Sequence, residues 1–283
     1  MSLIYPGYDV CAYKRILERA ILNYDLPCGA PRSLYGDLDY RVLDFLGYMQ
    51  PAAGVYWQTY LYHSLVDGGV YRRSDIYPTT IIDNDWHFGE RQWDFSPGKI
   101  QHQVRRAFKG LNYLVMIEFA IFGNVRYHKE INAGASRIRD QGRLIAPHVQ
   151  GLIWGERPSR EQRAQFAGGI FGTHGTTLRT LTDFAGAVRY MVKPPYRGEL
   201  VHPRRGGGYI RYPWAKMPLL LHHLLFRNLY KFSYPDLTFA SGEGSRILAN
   251  AKRLFRDYTP VGVQRYSFPP TPLDRTSMAK RRV

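Results

Sequence analysis

A chain of 283 residues with 45% hydrophobic and 22% charged residues has the make-up of an ordinary folded protein, which excludes collagen-like and disordered classes. No apolar run reaches the roughly 18 residues that a membrane span needs, the two best candidates being broken by Glu118 and by His222-His223. Lysine and arginine number 39 against 23 acidic residues, a formal charge of +16 that favours a polyanionic partner, nucleic acid ahead of an anionic membrane surface.

Aromatic residues make up 14% of the chain, 22 of them tyrosines, and supply faces on which unpaired bases stack. A general habit of arginine and tyrosine usage in the source genome would produce the same composition. Cys11 and Cys28 are too few for a disulfide framework, which predicts a reducing, cytoplasmic setting. The first residues, Met1 to Pro6, show no basic stretch ahead of an apolar core, so no secretory signal is expected.

Residues 1–75 read as an accessory region, mainly helical, with helical spacing over Tyr13–Leu22 and Tyr35–Met49 and no chemical motif. A first strand is expected over Ile76–Asp83, where β-branched residues surround Thr79-Thr80. A loop with Trp86, His87, Trp93 and Pro97 follows. Lys99–Leu111 then forms an amphipathic helix, with Ile100, Val104, Phe108 and Leu111 on one side. Lys99, Arg105, Arg106 and Lys109 occupy its remainder, either to track a phosphate backbone or simply as a solvated face.

Leu114–Phe122 is the second expected strand, and Glu118 interrupts its apolar run on the face shared by Met116, Ala120 and Phe122. A carboxylate there needs a cation, a proton or an arginine partner. A long basic connection, Gly123–Ala146, carries Arg126, Lys129, Arg137, Arg139 and Arg143. Leu144–Glu156 is the third strand, opened by Pro147 and closed by Gly155, with His148 and Gln150 on one face beside Leu152 and Trp154. Two readings are open for this pair: a core histidine beside a hydrogen-bonded glutamine, or two ligands. If the strands bearing Glu118 and His148 pair antiparallel, three ligand-capable side chains converge.

A helix from Ser159 to about Ile170, a short strand Thr176–Leu181 and a helix opened by Thr182 or Asp183 come next, the last ending against Pro194-Pro195. Tyr190 and Lys193 lie three apart on that helix, hence on one face. Arg197–Tyr212 is basic and glycine-rich, with Arg204 and Arg205, and reads as a mobile linker that touches nucleic acid. Helices are expected over Met217–Phe232 and Glu243–Tyr258, and residues 269–283 form a basic, disordered tail. The expectation is therefore an α+β protein, divided at 76–200 for the core and 201–268 for a helical region.

Three of these motifs, Ile117-Glu-Phe-Ala, Pro147-His-Val-Gln-Gly-Leu-Ile-Trp and Tyr190-Met-Val-Lys193, occur in the order and strand-then-helix context of the HUH endonuclease superfamily. The chain resembles its rolling-circle replication initiator (Rep) proteins over residues 76 to 200. The resemblance implies an antiparallel sheet core with flanking helices. It implies that Glu118, His148 and Gln150 bind Mg²⁺ or Mn²⁺, and that Tyr190 attacks DNA and stays joined to the 5′ phosphate, with Lys193 beside it. Gln150 stands where the family has a second histidine, similar to initiators of some circular single-stranded DNA viruses; a carbonyl oxygen suits a hard cation. Thr79-Thr80 loosely matches the family's first motif. No Gly-x-x-x-x-Gly-Lys-Ser/Thr sequence occurs, so a host helicase and polymerase are the expected partners beside single-stranded or origin DNA. A relaxase or transposase of the same superfamily, and a non-catalytic basic nucleic-acid-binding protein, are the alternatives.

Overall fold

The computed structural model describes residues 71–89, 93–123, 143–169, 174–184, 187, 196–204, 209–214, 217–229, 232 and 237–258. Tyr190, Lys193, Arg205, the basic positions 126, 129, 137 and 139, residues 1–70 and the tail all lie outside them. The architecture is mixed α+β, built on a curled, mostly antiparallel sheet with few helices among the described residues.

Three strands carry the centre: β1 (Ile76–Ile82), β3 (Asn112–Gly123) and β4 (Arg143–Trp154), with the two-residue β2 (Phe88–Gly89) between β1 and β3 in sequence. β5 (Thr176–Leu178), β6 (Tyr196–Pro203), β7 (Tyr209–Pro213) and β8 (Thr238–Ser241) complete the sheet. The spatial order is β5-β1-β4-β3-β6-β7, with β2 also on β4 and β8 also on β3. Every pairing is antiparallel except β3 with β6.

β3 and β4 are buried over nearly their whole length, which is why both read as continuous apolar runs rather than alternating ones. One face receives the first helix, α1 (Pro97–Ala107), through Ile100, Val104 and Ala107. Ile100 and Val104 each contribute about 1.5–3 kcal/mol on burial, the Ala107 methyl less. Pro97 suits the first helical position, where its missing N–H has no partner to lose. Beyond Phe108, Gly110 takes φ +88° and turns the chain into β3.

Pro147 sits inside β4 rather than opening it. Its tolerance there has a topological cause. β1 leaves β4 at the pair Ile82↔His148, and β2 joins only at Phe88↔Ile145. The intervening segment is a 3-10 turn, Asn84–Trp86, so on that side Pro147 has no paired strand residue to which it must donate.

Two further expectations change. The helix expected from Ser159 to Ile170 is a single turn, α2 (Arg160–Arg163), closed by a capping box between Ser159 and Gln162. None of its residues is buried, and without an apolar stripe to dock, one turn cannot propagate. Second, the Arg197–Tyr212 segment is not a linker: β6 and β7 form a hairpin there, because Leu200, Val201, Ile210 and Tyr212 supply strand-forming side chains that composition had hidden behind glycine and arginine. β6 crosses residue 200 and β8 pairs with β3, so the sheet continues through the boundary expected there. Two helices follow as anticipated, α3 (Leu219–Leu229) and α4 (Glu243–Tyr258). The Glu243 backbone N–H, in the first turn of α4, donates to Asn112 Oδ1 of β3 at 2.9 Å.

Gly151 stands opposite Val115 of β3 and Thr79 of β1. A β-carbon there would press on the Leu114 carbonyl oxygen and stand 2.6 Å from Val115 Cα. Because backbone cannot yield as a flexible side chain does, Gly151→Ala is expected to lower stability by about 1–3 kcal/mol, read as a fall in melting temperature by circular dichroism.

Candidate metal site

β3 and β4 pair so that Glu118 lies directly opposite His148, and Met116 opposite Gln150. Alternation places Glu118, His148 and Gln150 on one face. The three meet. His148 Nε2 is 3.5 Å from Glu118 Oε2 and 3.0 Å from Gln150 Nε2. Glu118 is 1% exposed and Gln150 6%, whereas the His148 side chain reaches 13% at the break between β1 and β2.

The far side of the imidazole constrains its chemistry. Nδ1 stands 3.3 Å from the Ala146 carbonyl oxygen. A carbonyl can only accept, so this contact puts the proton of a neutral ring on Nδ1 and leaves Nε2 with a lone pair. Nε2 then faces the Gln150 amide and the Glu118 carboxylate. The amide N–H can donate to it; an ionised carboxylate cannot. With the Gln150 amide turned over, one nitrogen and two oxygens present lone pairs to the same point, a donor set that fits Mg²⁺ or Mn²⁺. Among the described residues no group of three His, Cys, Asp or Glu side chains is arranged to hold a metal ion. The Nδ1–H contact to a backbone carbonyl is the kind of outer support that orients a ligating histidine.

Comparison with models of protein families, with curated proteins and with solved structures found no match. The reading of this site therefore rests on its own geometry and on the motifs that carry it.

Two residues outside the expected ligand set bear on the site. Thr80 pairs with Gln150 from β1, while the Thr79 hydroxyl donates to the Thr177 carbonyl of β5 at 3.2 Å; of that threonine pair only Thr80 flanks a candidate ligand. His87 is the second. It is 4% exposed, and neither ring nitrogen has a hydrogen-bond partner among the described residues. Burial foremost, and then the proximity of a second titratable imidazole, His148, hold its pKa down to about 4. The turn that carries it is tied down on both sides. Asp83 Oδ1 accepts from the Asp85 N–H at 3.0 Å, and Gln103 of α1 donates to Asp83 Oδ2 at 2.9 Å while accepting from Trp86 Nε1 at 2.8 Å. A histidine in a tryptophan-rich loop carries no spacing signal, so only the fold brings it forward.

Of the basic residues expected to meet DNA, Lys99, Arg105 and Arg106 are exposed on α1, Lys109 is exposed in the turn that follows it, and Arg204 is exposed after β6.

His222 on α3 is also held down to about 4, by burial. Between that value and the ordinary 6.5 the unfolded chain takes up a proton that the folded one refuses. Stability from both histidines is thus complete above pH 6.5 and lost as pH falls toward 4, by up to about 3 kcal/mol each. Melting temperature is expected to fall across that window, and His222→Gln to flatten the fall without removing it.

Proposed function

We propose that the chain is a replication initiator of the HUH type, a metal-dependent enzyme that nicks and rejoins single-stranded DNA through one tyrosine. The observation that carries this reading is the convergence of a carboxylate and a carboxamide on one imidazole nitrogen, at 3.5 and 3.0 Å, within a largely apolar sheet. A carboxylate withdrawn from water calls for a compensating partner, and the His148 imidazole lies 3.5 Å from it.

Glu118, His148 and Gln150 would hold Mg²⁺ or Mn²⁺. The cation, when bound, neutralises charge on the scissile phosphate and aligns it for in-line attack. The Tyr190 phenol oxygen forms a bond to phosphorus as the bond to the 3′ oxygen breaks. The phenol proton passes to solvent, and the departing 3′ oxygen takes up a proton to become a hydroxyl that a polymerase can extend. Reversal of the same step rejoins the strand. Lys193, one helical turn from Tyr190 in sequence, favours the phenolate, whose ordinary pKa near 10 makes it scarce at neutral pH. The parts given to Tyr190 and Lys193 rest on the motif resemblance.

A second reading keeps the same geometry without chemistry. The Gln150 amide already lies within hydrogen-bond distance of His148 Nε2, so a basic nucleic-acid-binding protein could retain these groups as a buried polar network.

Two experiments separate the readings. Incubated with Mn²⁺ and a 3′-labelled randomised single-stranded pool, the protein is expected to carry label through a denaturing gel. Tyr190→Phe or EDTA should abolish that band. Salt-sensitive retention of DNA with no adduct would favour the binding protein. In calorimetric titration with Mn²⁺ alone, Glu118→Gln is expected to weaken affinity about ten-fold or more; unchanged affinity would remove Glu118 from the ligand set.

A further inference from the structure

The hairpin of β6 and β7 offers a face that the metal site does not use. Leu200 pairs with Tyr212 and His202 with Ile210, so these four side chains share one face, while Val201, Tyr209 and Arg211 share the other. The second face is occupied: Val201 is buried with Phe122, Leu144 and Ala146, and Arg211 Nη1 lies 3.7 Å from Glu199 Oε2. The first face is open. Ile210 is 36% and Tyr212 50% exposed, the large hydrophobics that stand out to solvent among the described residues.

Aromatic groups line this face. The His202 ring meets Tyr212 edge-on, with centroids 5.7 Å apart. Trp214 extends the row beyond β7, its backbone N–H donating to the Gly198 carbonyl at 2.9 Å. Its ring lies against Gly123, where a β-carbon would come within 3.0 Å of it. The Arg143 guanidinium stands over that ring, 6.0 Å from the centroid, and Arg204 is exposed where β6 ends.

Exposed apolar groups on a margin strand invite association, and natural proteins keep them there when something binds. Charge selects the occupant. A second copy of this chain would bring another +16 against the first, and Pro203 and Pro213 close β6 and β7 with residues that cannot donate to an added strand. A polyanion with flat, unpaired rings meets neither obstacle. We propose that this face is a stacking platform for single-stranded DNA: bases lie on Tyr212, His202 and Trp214, and phosphates meet Arg143 and Arg204. The proposal takes its ligand from the DNA reading above but does not require that the DNA be cut.

The test uses the full chain in EDTA, which separates binding from nicking. Fluorescence anisotropy with a labelled single-stranded oligothymidylate at fixed salt should show Tyr212→Ala weakening Kd about five-fold or more. Tyr212→Phe, which keeps the ring, should bind within about two-fold of the parent, and a duplex of equal length should be little affected by either change. Both variants should melt like the parent, since the side chain is half in solvent. Unchanged single-strand affinity in Tyr212→Ala, or an equal loss on duplex, overturns the platform. So does a dimer in sedimentation that Tyr212→Ala dissolves, which would make the face a self-association surface. Absence of a Mn²⁺-dependent adduct in the parent would sink the nicking reading and leave the platform standing.

Discussion

The register between β3 and β4 is the constraint on which the rest of this structure depends. It sets Glu118 against His148 across one ladder. A slip of one residue would send Glu118 to the opposite face, and a slip of two would set it against Gln150 or Ala146 instead. Several independent features hold the pairing in place. The ladder runs unbroken from Asn112↔Trp154 to Gly123↔Arg143. Gly151 is the residue at which β4 can approach Val115 closely, and Gly155, at φ +78°, ends the strand. At the same end Asn112 receives the Glu243 N–H and Trp154 Nε1 donates to Glu243 Oε2 at 3.2 Å, so α4 fastens both strands at once.

The energetics of the two sheet faces are opposed. On one, α1 and the aromatic residues around Phe95 and Phe119, whose ring centroids are 4.8 Å apart, add hydrophobic and ring-contact stability. On the other, β4 holds His148 and Gln150 beside Glu118 in a buried polar cluster, where desolvation works against folding. The break between β1 and β2 reconciles the two. It interrupts the ladder at Ala146 and Pro147, the second of which has no N–H to strand there, and His148 beside it is partly exposed.

The same sheet changes character toward its β7 margin. Near β4 its faces are apolar or polar and enclosed; at β6 and β7 one face is enclosed by Val201 and the other stands in solvent with Tyr212 and Ile210. The closed polar site and the open aromatic groups therefore lie on opposite faces: Phe122, on the face of Glu118, pairs with Glu199 beside Val201, whereas Gly123 pairs with Leu200 on the face of Tyr212.

Much of this was determined by the sequence alone. β-branched and apolar runs identify β1, β3 and β4, and helical periodicity identifies α1 and α4, because those signals are local. The shared face of His148 and Gln150 also follows from local alternation. What only the tertiary structure decided is everything that depends on a distant partner. Pro147 belongs inside β4 because two other strands leave a gap there. The segment with Arg204 becomes half of a hairpin because β3 offers an edge for β6, whereas its glycine and arginine content suggested a linker. The helix after Ser159 stops at one turn because nothing packs on it. The turn that carries His87 is held by Asp83, Gln103 and Trp86, contacts spanning up to 20 positions of sequence. Local pattern specifies which way a side chain points; only the assembled sheet specifies what it meets.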